Sequence, residues 1–173
     1  MIPNIFMMDF ERTENSDELH GIFGRALIIA TRFDSMCAAA ADTANSRADL
    51  IAKKLLDEAE YKKFVLQTTK NHTNLNNSIL ALGLSADASD ILHSARMARN
   101  YIAHELSIGL TGCLDTKIDD NTITKDISEL IERIANGDIV ISALISLRNN
   151  DPLPRIQSIT KYKEEIIKWA VKR

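Results

Sequence analysis

The chain predicts an all-α protein: an antiparallel bundle of four main helices with one additional short helix. Three observations carry this. Glycine (6) and proline (3) are scarce among 173 residues, so few positions interrupt a helix. Apolar residues recur at three-and-four spacing through several long stretches, which is the period of a helix with one buried face. Only residues 139–145 offer a strand-like run, and no partner strand is evident elsewhere. Connections are mostly short, and no repeat, low-complexity tract or linker divides the sequence. One domain over 1–173 follows, with 1–14 as a loosely ordered N-terminal arm.

The first helix is expected over 17–41. Asn15 and Ser16 offer its N-cap, and Asp17 and Glu18 suit the positive end of the dipole. Leu19, Ile22, Phe23, Ala26, Ala30, Phe33, Cys37 and Ala40 form its apolar stripe. A second helix follows over 47–68. A polar stretch, 69–77, then leads to a short apolar turn of helix ending near Gly83. The third main helix starts at Ser85 or Asp87 and runs to about 108, where Gly109 and Gly112 stop it. After a polar loop at 115–121, a fourth helix covers 124–148, with Ile127, Leu130, Ile131, Ile134, Ile141, Leu144 and Ile145 on one side. Gly137 weakens it by about 1 kcal/mol relative to alanine without having to break it. The alternative is a break at Asn136-Gly137. Asp151-Pro152-Leu153-Pro154 ends this segment, and a fifth helix over 155–172 carries Ile159, Tyr162, Ile166, Trp169 and Ala170.

The net charge of −3 and pI of about 5.8 argue against a general nucleic-acid coating protein. Any RNA contact must come from a local patch. Cys37 and Cys113 have no metal-ligand spacing, and Cys37 reads as a reduced core thiol. His20, His72, His93 and His104 have no zinc spacing, and no Gly-rich phosphate loop exists, so neither metal nor cofactor is expected. Residues 1–10 are apolar but lack a basic leader and a cleavage-site pattern. No stretch approaches membrane-spanning length, so a cytoplasmic, soluble protein is expected.

The third main helix carries the chemistry. Arg99-Asn100-Tyr101-Ile102-Ala103-His104 puts a permanent cation, an amide and a titratable imidazole within two turns. Arginine can stabilise charge building on a phosphate, and histidine can move a proton near neutral pH. This is a minimal set for cutting RNA without a metal, because the 2′-hydroxyl is itself the nucleophile. Helical rotation places Ile91, Ala95, Ala98, Ile102 and Leu106 within about 80° of one another as the core stripe. Arg99 lies at its edge. His93, Met97, Asn100 and His104 form a second stripe almost opposite, spaced like a packing seam. It is either a solvated face or the contact with a second copy across a twofold, which would bring two Arg99, two Asn100 and two His104 together.

Plainer roles stay open for each residue. Arg99 can pair with an acidic group of a neighbouring helix, and His104 suits a helix C-terminus. Arg96 widens a basic patch for RNA or is solvated. His93 lines the same cleft or an interface. Tyr101 can stack a base. Glu105 reads as a salt-bridge partner. Asp34 and Arg32 on the first helix are candidates to face the site.

The segment Arg99 to His104, followed by Glu105-Leu106, resembles the signature of HEPN domains. There an Arg, a polar residue directly after it and a His four to six residues past the Arg lie near the end of the third main helix. The helical layout is similar, and 23–33 resembles the first helix of some stand-alone members. The resemblance implies a bundle that dimerises through its motif helices and acts as a metal-independent endoribonuclease, often a toxin or antiviral effector. Carried over by position, Arg99 and His104 are catalytic and Asn100 supports them; Arg96, Tyr101 and His93 are RNA-contact candidates. Some members are controlled by an antitoxin that modifies a Tyr two residues past the His. Here that position is Leu106, a departure that speaks against that mode of control and leaves room for another antitoxin. The alternative within the resemblance is a non-catalytic module that dimerises or binds RNA or a nucleotide.

Overall fold

The computed structural model describes residues 13–68, 74–106 and 120–172, which form six helices and, among those residues, no strand. The first, α1, is a single helix over Glu14–Leu55. Its N-cap is Thr13, two residues before the earliest expected cap. Ser16 N–H donates to Thr13 Oγ1 at 3.1 Å, and Thr13 N–H donates to Ser16 Oγ at 2.9 Å, a reciprocal capping box. The break expected between 41 and 47 is absent. Thr43 and Ser46 turn their hydroxyls back to the carbonyls of Ala39 and Asp42 instead of capping a new helix. One helix therefore takes in the first expected helix and 47–55 of the second, and the remainder of the second, expected to be continuous with it, is a separate helix after a break at 56–57. The chain turns at Leu56 and Asp57, whose Oδ1 caps the short α2, Glu58–Thr68.

Asn74 caps α3, Leu75–Ala81, by accepting from Asn77 N–H at 2.9 Å, so helix begins inside the expected polar stretch. Gly83, at φ 62°, supplies the left-handed turn that releases the chain into α4, Ala86–His104. Ser85 stands at the N-cap of α4 as expected, and Glu105 ends the helix. Gly109, Gly112, Cys113 and the loop at 115–119 lie outside the described residues, as does the arm at 1–12.

The fourth expected helix is α5, Asp120–Asn149, unbroken at Gly137. It stops in a Schellman turn. Asn150 takes φ 60°, its N–H donates to Leu147 C=O at 3.4 Å, and Asp151 N–H reaches Ser146 C=O at 2.9 Å. Arg47 reinforces that end by donating to Arg148 C=O at 2.6 Å and Asn149 Oδ1 at 3.2 Å. After Pro154, α6 spans Ile156–Val171.

One core joins α1, α3, α4, α5 and α6. Leu19, Ile22, Ala26, Ala30, Phe33, Cys37 and Ala40 are buried on α1 as the periodicity predicts, with Ile29 added and Phe23 half-buried. On α4 the stripe is Leu92, Ala95, Ala98 and Ile102. Ile91 is 39% exposed, so the stripe enters one residue later than expected. Leu92 is fully buried because α4 faces α5 more extensively than α1, which rotates the buried centre toward position 92. On α5, Ile127, Leu130, Ile131, Ile134 and Ile141 are buried, and Ile145 emerges at the end. On α6, Ile166 and Ala170 are buried and Trp169 is half-exposed.

The close approach of α1, α4 and α5 happens at Gly137. A Cβ there would lie 2.7 Å from both the Ala95 Cβ and the Phe33 ring. The missing side chain is thus a packing requirement as well as a weak point in propensity. No helix among the described residues is long and apolar enough to cross a membrane.

Candidate functional site

The packing of α4 against α1 decides where Arg99 points. With Ala95, Ala98 and Ile102 in the core, Arg99 lies at the edge of the seam and its guanidinium reaches Asp34 on α1. Arg99 Nη2 and Asp34 Oδ2 are 2.5 Å apart, and their side chains are 23% and 32% exposed. The other arm, Nη1, donates to Asn100 Oδ1 at 3.1 Å. Both hands of the guanidinium fork are engaged, so the cation is held in one orientation. This is the acidic partner that a structural role for Arg99 calls for, and it also fixes the group for a role toward an anion.

Arg99, Asn100 and Arg96 form one wall of a cleft of about 570 Å³. Asp34 and Ala38 of α1 form another. Asn74, Leu75, Asn76 and Ser78 of α3 complete it. Two cations face a single carboxylate there, so the local balance is positive on a chain whose net charge is −3. Arg96 Nε is buried without a hydrogen-bond partner, and so is His93 Nδ1 one turn earlier. An anion or a hydroxyl entering this cleft would find Arg96 uncommitted.

Asn100 stands on the ridge between this cleft and a second one, of about 630 Å³, which Met97, Tyr101, Glu105, Asp126, Glu129, Leu130 and Arg133 complete. The second cleft carries three carboxylates and one arginine. Arg133 is tied to α4 through Ser94, donating from Nε to Oγ at 3.0 Å and from Nη2 to the carbonyl at 2.8 Å. Tyr101, 43% exposed, faces this acidic side and not the cleft of Arg96 and Arg99.

His104 occupies the last turn of α4 and is exposed. It lines neither cleft within one chain. The structure thus brings together Arg99, Asn100, Arg96 and Asp34, and leaves His104 and Tyr101 on the outward face of α4. Met97, 61% exposed, lies on that same face. Arg32, the other candidate on α1, turns away. It is two residues from Asp34, about 200° around the helix, and pairs with Asp138 on α5 and Tyr162 on α6.

Three cleft residues have no signature in the sequence: Asn74, Asn76 and Ser78. They arrive because α3 docks against α1 and α4, and a polar stretch with a short apolar turn gives no hint of which wall it completes. Among the described residues no group of three or more His, Cys, Asp or Glu side chains is placed to hold a metal ion. Comparison of the chain with models of known protein families, with curated proteins and with solved structures finds no match.

Proposed function

We propose that this protein is a metal-independent endoribonuclease of the toxin or antiviral-defence type, with a HEPN-like domain that acts as a homodimer. The observation that supports it is the pinned pair of Arg99 and Asn100 at the wall of a locally positive cleft, one turn before an exposed His104 on a helix face that nothing among the described residues covers. A second copy meeting this face across a twofold axis brings His104 of each chain toward Arg99 of the other. RNA is the substrate, and an antitoxin that covers the same face is a natural regulator.

In this reading His104 is the general base toward the 2′-hydroxyl or the acid toward the leaving 5′-oxygen, and the other copy's His104 takes the remaining role. Arg99 stabilises the extra negative charge of the phosphorane-like transition state. Asn100, which holds Arg99 through Oδ1, keeps its amide N–H groups for a phosphate oxygen or the imidazole. Arg96 adds charge for the RNA backbone. His93 and Tyr101 flank the motif as RNA contacts. The products carry a 2′,3′-cyclic phosphate and a 5′-hydroxyl.

One observation favours a second reading, a dimerising module that binds RNA or a nucleotide without cutting it. In the single chain His104 lines no cleft with Arg99, and Asp34 already satisfies the guanidinium. An RNA-cleavage assay in excess EDTA separates the two. Wild-type protein is compared with His104→Ala, both matched for oligomeric state by light scattering. Cleavage by wild type alone, leaving cyclic phosphate ends, is the expected result. A well-folded dimer that binds total RNA without cutting it would replace the catalytic reading with the binding one.

A further inference from the structure

On the opposite side of α1 from Asp34, a separate cavity of about 310 Å³ lies between α1, α5 and α6. Its walls are mainly apolar: Met36, Ile139, Pro154 and Ile159. Its polar groups are few. Asp138 is 2% exposed, and its Oδ2 accepts from both Arg32 Nη2 and the Tyr162 hydroxyl. Oδ1 is buried and has no hydrogen-bond partner. Ser142 and Ser158 add two hydroxyls.

A carboxylate this deep normally satisfies both oxygens, because an unpaired buried acceptor carries a lasting desolvation penalty. Here one oxygen of a group more than nine-tenths buried is left for a donor. Arg32 balances the charge of Asp138, so the cavity as a whole is near neutral. Arg32 uses only Nη2 in these contacts; its Nε and Nη1 donate to nothing among the described residues. Its side chain is 44% exposed, so it can shift to admit a molecule. Two of the lining residues, Asp138 and Arg32, therefore carry an unpaired acceptor and unpaired donors, with apolar walls around them.

We propose that this cavity binds a small uncharged carboxamide with an apolar body. The amide N–H satisfies Asp138 Oδ1, and the amide carbonyl accepts from Arg32. The apolar body packs against Met36, Ile139, Pro154 and Ile159. The cavity is of the size of small-ligand pockets, and its lining of apolar walls with a few convergent polar groups is their usual pattern. A carboxylate in place of the amide meets Asp138 with a like charge and no donor. An ammonium upsets the existing balance with Arg32. Neither fits.

The test uses benzamide as the probe, with benzoate and toluene as controls, titrated into the full chain and followed by amide chemical shifts. Benzamide should move the signals of Ile139, Ser142, Ser158 and Tyr162 saturably, with a Kd of roughly 1 mM, as suits a fragment-sized ligand. Benzoate and toluene should bind at least about tenfold more weakly. Ser142→Leu, which fills the cavity on an element tolerant of leucine, should abolish the benzamide shifts while the far-ultraviolet spectrum is kept. Equal binding of toluene and benzamide would overturn the role given to Asp138. Undiminished binding by Ser142→Leu would move the site elsewhere, and no shift at about 20 mM benzamide would end the proposal.

Discussion

Replacing Gly137 by alanine sets two opposing effects against each other at one atom. The methyl group improves helix propensity by about 1 kcal/mol. It also lands 2.7 Å from the Ala95 Cβ and 2.7 Å from Phe33 Cε2, with Cζ at 3.1 Å. Each of the two shortest contacts falls about 0.7 Å short of ordinary van der Waals separation. Neither neighbour can be swung aside. Ala95 has no rotamer to change, and Phe33 is fully buried on the opposing helix. Overpacking of this kind costs about 1–3 kcal/mol, and a clash on two sides belongs at the upper end. The net expectation is a loss of about 2 kcal/mol, or a fall in Tm of about 4–8 °C for a chain of this length. Urea unfolding followed by circular dichroism measures it.

Gly24→Ala is the internal control. It lies on α1, is exposed, and has nothing within 4 Å of its Cβ position, so it should gain up to about 1 kcal/mol. Phe33→Leu should recover part of the loss in the Gly137→Ala background, since the ring atoms are half of the clash. If Gly137→Ala stabilises the protein as Gly24→Ala does, the three-helix approach is looser than described. The positions of Asp34 and Arg96, each next in sequence to a clashing residue, would then be loose as well.

Asp34→Asn removes the charge that holds Arg99 while keeping an acceptor. The pair is partly exposed, so the stability loss should stay below about 1 kcal/mol. RNA cleavage under the proposed function should fall about tenfold in kcat with an unshifted pH profile, because the guanidinium is mispositioned and not removed. A rise in rate would mean that Asp34 masks Arg99 instead of positioning it. Cys37 is fully buried. Burial, with Asp138 and Asp34 adding to it, pushes its thiol up to about 12. Iodoacetamide at pH 8 should therefore leave Cys37 unmodified in the folded protein and label it on denaturation, as peptide mass mapping will read. Labelling at native rates would place the thiol at the surface.

Much of the helical content was legible from periodicity, because a three-and-four apolar stripe has one physical meaning when glycine and proline are rare. The seven core positions of α1 from Leu19 to Ala40, other than Phe23, and the run Ile127 to Ile134 on α5 were fixed this way. The same logic misplaced the entry of α4, since Ile91 and Leu92 differ by one step of rotation and only the neighbouring α5 decides which is buried. It also cut α1 in two at 41–47, a polar stretch in which the hydroxyls of Thr43 and Ser46 bond back along one continuous helix.

For the candidate site the division is sharper. The sequence determined that Arg99, Asn100 and His104 share the end of one helix, because their spacing within a helix is a matter of rotation alone. Only the tertiary structure decided that Asp34 meets Arg99 while Arg32 turns to Asp138. It alone decided that the start of α3 closes the cleft, and that Gly137 is a contact point. Such pairings join residues far apart in the chain, and their geometry depends on how helices cross, which no single helix's pattern specifies.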